Sequence, residues 1–118
     1  MLTALIHHTH ARIIQLHARA DALAAQGTCT GSAYWKSGKY LVVLYGRQYR
    51  QYIGNDPALV AATLAAISRG QEVKQIEESI TLLSEALRAA VTAQNAAEKR
   101  LHNALDRVKL SESEETES

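Results

Sequence analysis

Gly38-Lys39-Tyr40-Leu41-Val42-Val43-Leu44-Tyr45-Gly46-Arg47-Gln48-Tyr49-Arg50-Gln51-Tyr52-Ile53-Gly54-Asn55-Asp56-Pro57 is the stretch on which the fold turns. Tyr, Val, Leu and Ile suit a pleated, half-buried surface, and Gly punctuates them at hairpin spacing. Together with the preceding residues this predicts three antiparallel strands: Ala33–Lys36, Lys39–Tyr45 and Gln48–Ile53, joined by turns at Ser37-Gly38 and Gly46-Arg47. Period-two alternation puts Trp35, Leu41, Val43 and Tyr45 on one face, and Tyr34, Lys36, Tyr40, Val42 and Leu44 on the other. The middle strand is therefore apolar on both faces, so the second face needs a cover: a helix, another subunit or a ligand. Gly54-Asn55-Asp56-Pro57 closes the meander and opens a helix, since Asp can accept from free first-turn N–H groups and Pro presets the first helical position.

Helices are predicted on both sides of the meander. Upstream, Leu2 to Ala25 lacks Gly and Pro and spaces Ile6, Thr9, Ile13, Leu16, Ala20 and Leu23 by threes and fours, an amphipathic helix that Gly27 ends. Downstream, Leu59, Val60, Leu64 and Ile67 form a stripe as far as Ser68-Arg69-Gly70, where the low helix propensity of Gly predicts a break or bend. Val73, Ile76, Ile80, Leu83 and Leu87 then start a heptad series that continues through Ala90, Gln94, Ala97 and Leu101. Small residues weaken this series in its middle and permit close approach of a second helix. The first helix is the natural candidate, packed antiparallel in the same chain or supplied by another copy. The expected fold is α+β, mainly α: one domain over 1–109, with a helix at 1–26, a meander at 32–54, a helical arm at 57–109, and a disordered acidic tail at 110–118. Helices too long for one small core predict a homo-oligomer, with a dimer favoured and Val73, Ile76, Ile80, Leu83, Leu87 and Leu101 as the oligomerisation residues.

Charge and rings are segregated along the chain. The formal net charge is +1 and there is no Phe; the one Trp and five Tyr all lie between Tyr34 and Tyr52. Residues 22–55 carry Lys36, Lys39, Arg47 and Arg50 with no acid, whereas the end of the chain adds Glu112, Glu114, Glu115 and Glu117 with no base after Lys109. Apolar runs such as Tyr40 to Tyr45 fall far short of the roughly 18 residues of a membrane helix. A single cysteine, Cys29, forms no internal disulfide, and the N-terminus has no basic leader followed by an apolar run. These features predict an intracellular, cytoplasmic chain without a membrane segment.

Coincident rings and uncompensated cations define the candidate site. Lys and Arg neutralise phosphates, while planar rings and guanidinium groups stack on or read bases. Tyr34, Lys36, Lys39, Arg47, Tyr49, Arg50 and Tyr52 supply both kinds of group, for a nucleic acid or another anionic ligand. His7, His8, His10 and His17 lack the converging carboxylate or thiol of a metal site and are expected to be solvated or to flank the helix seam; no metal or other cofactor is expected. Cys29 has no local activating base, no Gly-rich phosphate loop is present, and Glu77 and Glu78 fit a solvated helix face, so no enzyme is expected. The acidic tail suits a solubilising end, or a phosphate mimic that folds back on the basic sheet in a salt-dependent way.

Residues Gly38 to Tyr45, Arg47 to Gly54, and Asp56-Pro57 opening an alanine-rich helix resemble the arm-type DNA-binding domain of phage tyrosine integrases, and small uncharacterised proteins of phages and mobile elements. The resemblance covers about 30 of the 118 residues. It implies a sheet laid in the DNA major groove, with Lys36, Lys39, Arg47 and Arg50 toward the backbone and Tyr49 or Tyr52 nearer the bases. A helix precedes the sheet and no recombinase catalytic domain follows it, so no recombination chemistry is implied. The sequence thus predicts a small, non-enzymatic, oligomeric nucleic-acid-binding accessory protein of the kind phages and mobile elements carry. The competing prediction is an oligomeric interaction module, or an inhibitor that sequesters a host protein or a small anionic, nucleotide-like ligand.

Overall fold

The structure, a computed structural model, describes the backbone of residues 1–117 and the side chains of residues 1–111. Its elements run α1 (Leu2–Ala25), β1 (Ser32–Lys36), β2 (Tyr40–Tyr45), β3 (Tyr49–Gly54) and α2 (Pro57–Glu117). This is the α+β, mainly α architecture expected from the sequence. The molecule is a rod of 95 × 26 × 18 Å, because α2 spans 61 residues and the rest of the chain folds back along it. The backbone of the tail expected to be disordered at 110–118 instead continues α2 as far as Glu117, while Ser118 and the side chains from 112 on lie outside the described residues.

The two helices form an antiparallel hairpin. Near the N-terminus of α1, Gln94 Nε2 donates to Thr3 Oγ1 at 2.9 Å; further along, Arg19 pairs with Glu72 at 3.1 Å. At the C-terminal end of α1, Arg69 Nε donates to the carbonyl of Gly27 at 2.6 Å, and its Nη2 donates to that of Gln26 at 3.3 Å. These carbonyls lie at a helix end, where intrahelical partners run out, so a guanidinium satisfies them and complements the helix dipole. Gly27 (φ 96°) supplies the left-handed residue that ends α1, and its N–H bonds Ala24 O at 3.0 Å.

Burial follows the predicted seam. Ile6, Thr9, Ile13, Leu16 and Ala20 are half-buried and Leu23 is buried; on α2, Val73, Ile80, Leu83, Leu87, Ala90 and Gln94 are half-buried and Ile76 is buried. The heptad series is thus satisfied up to residue 94 by α1 of the same chain, the antiparallel packing in cis that small seam residues allow. Of the six residues expected at an oligomer interface, only Leu101 stays open, at 65% exposure.

Two expectations about α2 are corrected. No break occurs at Gly70: α2 is continuous there, and the glycine serves close approach instead. The linker after α1 crosses α2 at this point, Cys29 N donates to Ala66 O at 3.0 Å, and a Cβ at Gly70 would run into the Cys29 carbonyl. This crossing also decides which face of the first α2 turns is inward. Val60, Thr63, Ala66 and Ile67 are half-buried or buried, whereas Leu59 and Leu64, expected in the apolar stripe, are 48% and 41% exposed. The small Ala66–Gly70 face must meet the linker, and that turns the two leucines toward solvent.

The sheet has strand order β1-β2-β3, antiparallel throughout. Ser37 (φ 55°) and Gly38 (φ 66°) are the left-handed centre of the first turn, in which Lys39 N donates to Lys36 O at 3.1 Å; because Lys36 pairs with Tyr40, this connection is three residues, 37–39, one longer than expected. The second connection is likewise one residue longer than expected, 46–48, and pairs Tyr45 with Tyr49. An irregularity at Leu41/Val42 leaves Leu41 opposite Gly54 and Val42 opposite Tyr52. Among the described residues, no helix is long and apolar enough to cross a membrane.

Candidate nucleic-acid interface

Strand register assigns the two faces of the sheet. On one, Tyr34, Val42 and Tyr52 lie side by side, flanked by the pairs Lys36–Tyr40 and Leu44–Arg50. On the other, Trp35 and Leu41 precede Ala33, Val43 and Gln51, and then Tyr45 and Tyr49. The second face is the one turned toward the helices at its Tyr45 end, since Cys29, bonded to α2 through Ala66, meets the Tyr45 hydroxyl at 3.2 Å. Tyr45 also donates to Gln51 Oε1 at 3.1 Å. The contact with Cys29, followed by partial desolvation, pushes the Tyr45 hydroxyl above its ordinary range.

The first face is therefore the outward one. Leu41, Val42 and Val43 are all fully buried within the single chain, although alternation sends Val42 the opposite way from its neighbours. Tyr34 and Tyr52 are the cross-strand neighbours of Val42 on both sides and are themselves exposed. Val42 is buried without a second chain, so a two-sided apolar strand does not by itself require one.

Lys36 and Tyr52 are the best-defined pair on this face. Lys36 Nζ donates to the Tyr52 hydroxyl at 2.8 Å and lies 5.0 Å from the centroid of its ring. The hydrogen bond, followed by the attraction between the two groups, holds the Lys36 ammonium above its ordinary range and the Tyr52 hydroxyl below its own. A phenol steers the lysine without neutralising it, so the positive charge stays available. Lys36, Ser37, Tyr40, Tyr52 and Gly54 together line a hollow of about 370 Å³.

The remaining candidates divide by position. Arg50 shares the outward face next to Leu44. Lys39 and Arg47 sit in the connections at opposite ends of β2, about 20 Å apart along six residues of strand. Among the described residues the only salt bridge is Arg19–Glu72, which leaves Lys39, Arg47 and Arg50 without a carboxylate partner there. Tyr49 does not join the group: it lies on the opposite face, its ring 5.6 Å from that of Tyr45. Tyr40 does belong to the outward face, and the alternation of β2 already placed it beside Tyr34 and Lys36. Trp35 is on the Tyr45 face yet 52% exposed, beside the β1 edge.

His7, His8, His10 and His17 are exposed, as are Glu77 and Glu78, and the described residues contain no group of three potential ligands placed to hold a metal ion. The chain matches no protein-family model, no curated protein and no solved structure.

Proposed function

We propose that this chain is a non-enzymatic, cytoplasmic, nucleic-acid-binding accessory protein that acts as a homo-oligomer and grips duplex DNA with the outward face of its sheet. The observation that carries this reading is the union of Tyr34, Tyr40 and Tyr52 with Lys36 and Arg50 on one exposed surface, with no carboxylate on the sheet. Three strands spaced about 4.8 Å apart put the outer strand axes about 10 Å from each other, a width that a major groove of about 12 Å accepts. Lys36, Lys39, Arg47 and Arg50 reach for phosphates, while the hydroxyls of Tyr34, Tyr40 and Tyr52 face base edges.

Electrophoretic mobility of duplex and single-stranded DNA at low and moderate salt tests this. A shift at low salt that weakens with a log–log slope of about −3 to −4 is expected for four phosphate contacts. Arg47→Glu with Arg50→Glu should abolish the shift without changing the mass of the oligomer. No shift at low salt would end the reading, and an unchanged shift in the double variant would move the site off the sheet.

A second reading is favoured by the hollow at Lys36, whose 370 Å³ and single ammonium suit a small anionic ligand such as a nucleotide. Native mass spectrometry that finds such a ligand retained, in a protein that shifts no DNA, would select it.

A further inference from the structure

α1 covers α2 only as far as Gln94, where the Thr3 hydrogen bond marks its end, yet α2 continues to Glu117. The remaining stretch of helix is about 35 Å long at 1.5 Å per residue. A lone helix of this length gains little from local propensity, and helices of this kind are normally held by packing of an amphipathic face. Such a face is present: Leu101, Leu105 and Val108 are 65%, 59% and 54% exposed. Spaced by four and three, they lie within about 40° of Gln94 on the helix wheel, and so prolong the same stripe that α1 occupies on the preceding turns.

We infer that this arm is the dimer interface, and that its occupant is the same arm of a second copy, running antiparallel. Three observations commit to that occupant. The stripe is continuous with the α1-covered seam, so it calls for another helix in line with α1. The uncovered stretches of two copies have equal length and so cover one another end to end. Charge also favours the antiparallel sense. Residues 95–109 carry Lys99, Arg100, Arg107 and Lys109 against Glu98 and Asp106, a net of +2, while residues 110–117 carry four glutamates and no base. End-to-end antiparallel pairing brings residues 110–117 of each arm alongside residues 95–102 of the other, which carry Lys99 and Arg100 against Glu98, whereas parallel pairing sets the four glutamates of each arm against those of the other.

The resulting dimer is tail to tail, with the two sheets at opposite ends of a rod. It makes specific the oligomeric part of the proposed function and does not depend on what the sheets bind. Small-angle scattering and light scattering of the full chain over a concentration series decide it. The expected result is a dimer whose longest dimension is about 150 Å, against 95 Å for one chain. Leu101→Glu with Leu105→Glu should return it to a monomer of unchanged helix-hairpin stability, because neither residue is buried within the chain. A dimer no longer than about 100 Å, a wild-type chain that stays monomeric throughout the series, or a double variant that still dimerises would each overturn the inference. Gel shifts on the monomeric variant separate the two proposals: DNA binding at a single sheet survives loss of the dimer if the sheet is the site.

Discussion

The two halves of α2 carry the same kind of sequence in different surroundings. From Val73 to Gln94 the three-four stripe is covered by α1 and includes Ile76, only 7% exposed; from Leu101 to Val108 a stripe of leucine and valine lies open. Periodicity identifies a face that needs a partner and says nothing about where that partner comes from. α1 lies along α2 from Gly27, beside Arg69, to Thr3, beside Gln94, and the 61-residue α2 runs on beyond that contact.

That contrast can be broken most directly at its two ends. Ile76→Ala should destabilise the chain by about 3 kcal/mol, the lower part of the range for truncating a buried isoleucine. Leu101→Ala should cost under about 0.5 kcal/mol in the monomer, since an exposed side chain loses little on truncation. Urea unfolding followed by circular dichroism, at concentrations below dimerisation, checks both; equal effects would mean that α1 does not select the covered half.

Gly70 offers a sharper version of the same question. By helix propensity alone Gly70→Ala should stabilise by about 1 kcal/mol. The Cys29 carbonyl lies where the new methyl would go, so a loss of about 2 kcal/mol is expected instead. A stabilised variant in the same unfolding experiment would show that the linker does not cross there.

The smallest effect belongs to the sheet. Lys36 lowers the pKa of the Tyr52 hydroxyl, so tyrosinate absorbance should begin to rise at lower pH in the wild type than in Lys36→Met, which removes the ammonium. Coincident titration curves would mean that the ammonium does not sit over the ring in solution.

Much of the frame was legible in the residues because it rests on local rules. The seam of α1 follows from the spacing of Ile6 through Leu23, the first turn from Ser37-Gly38, and the start of α2 from Asp56-Pro57. Alternation likewise put Tyr34, Lys36 and Tyr40 on one face, whereas Arg50 and Tyr52 join them only through the register of β3. Tyr49 was misplaced into that group because a three-residue connection, where a two-residue turn was expected, fixes which residue faces Tyr45. Leu59, Leu64 and Gly70 were misread for a different reason: the inward face at that end is set by Cys29, some forty positions away along the chain.

Sequence by itself determined which segments are helix and strand, which face of α1 and of α2 from Val73 onward is apolar, and that rings and cations share one short segment, since each depends on neighbours within a few residues. Only the tertiary structure decided that α1 covers part of α2 and leaves an arm bare, that Gly70 is a crossing point in an unbroken helix, and which face of the sheet looks outward. Those outcomes depend on which distant backbones can approach, and close approach is a property of three-dimensional packing that no local pattern encodes.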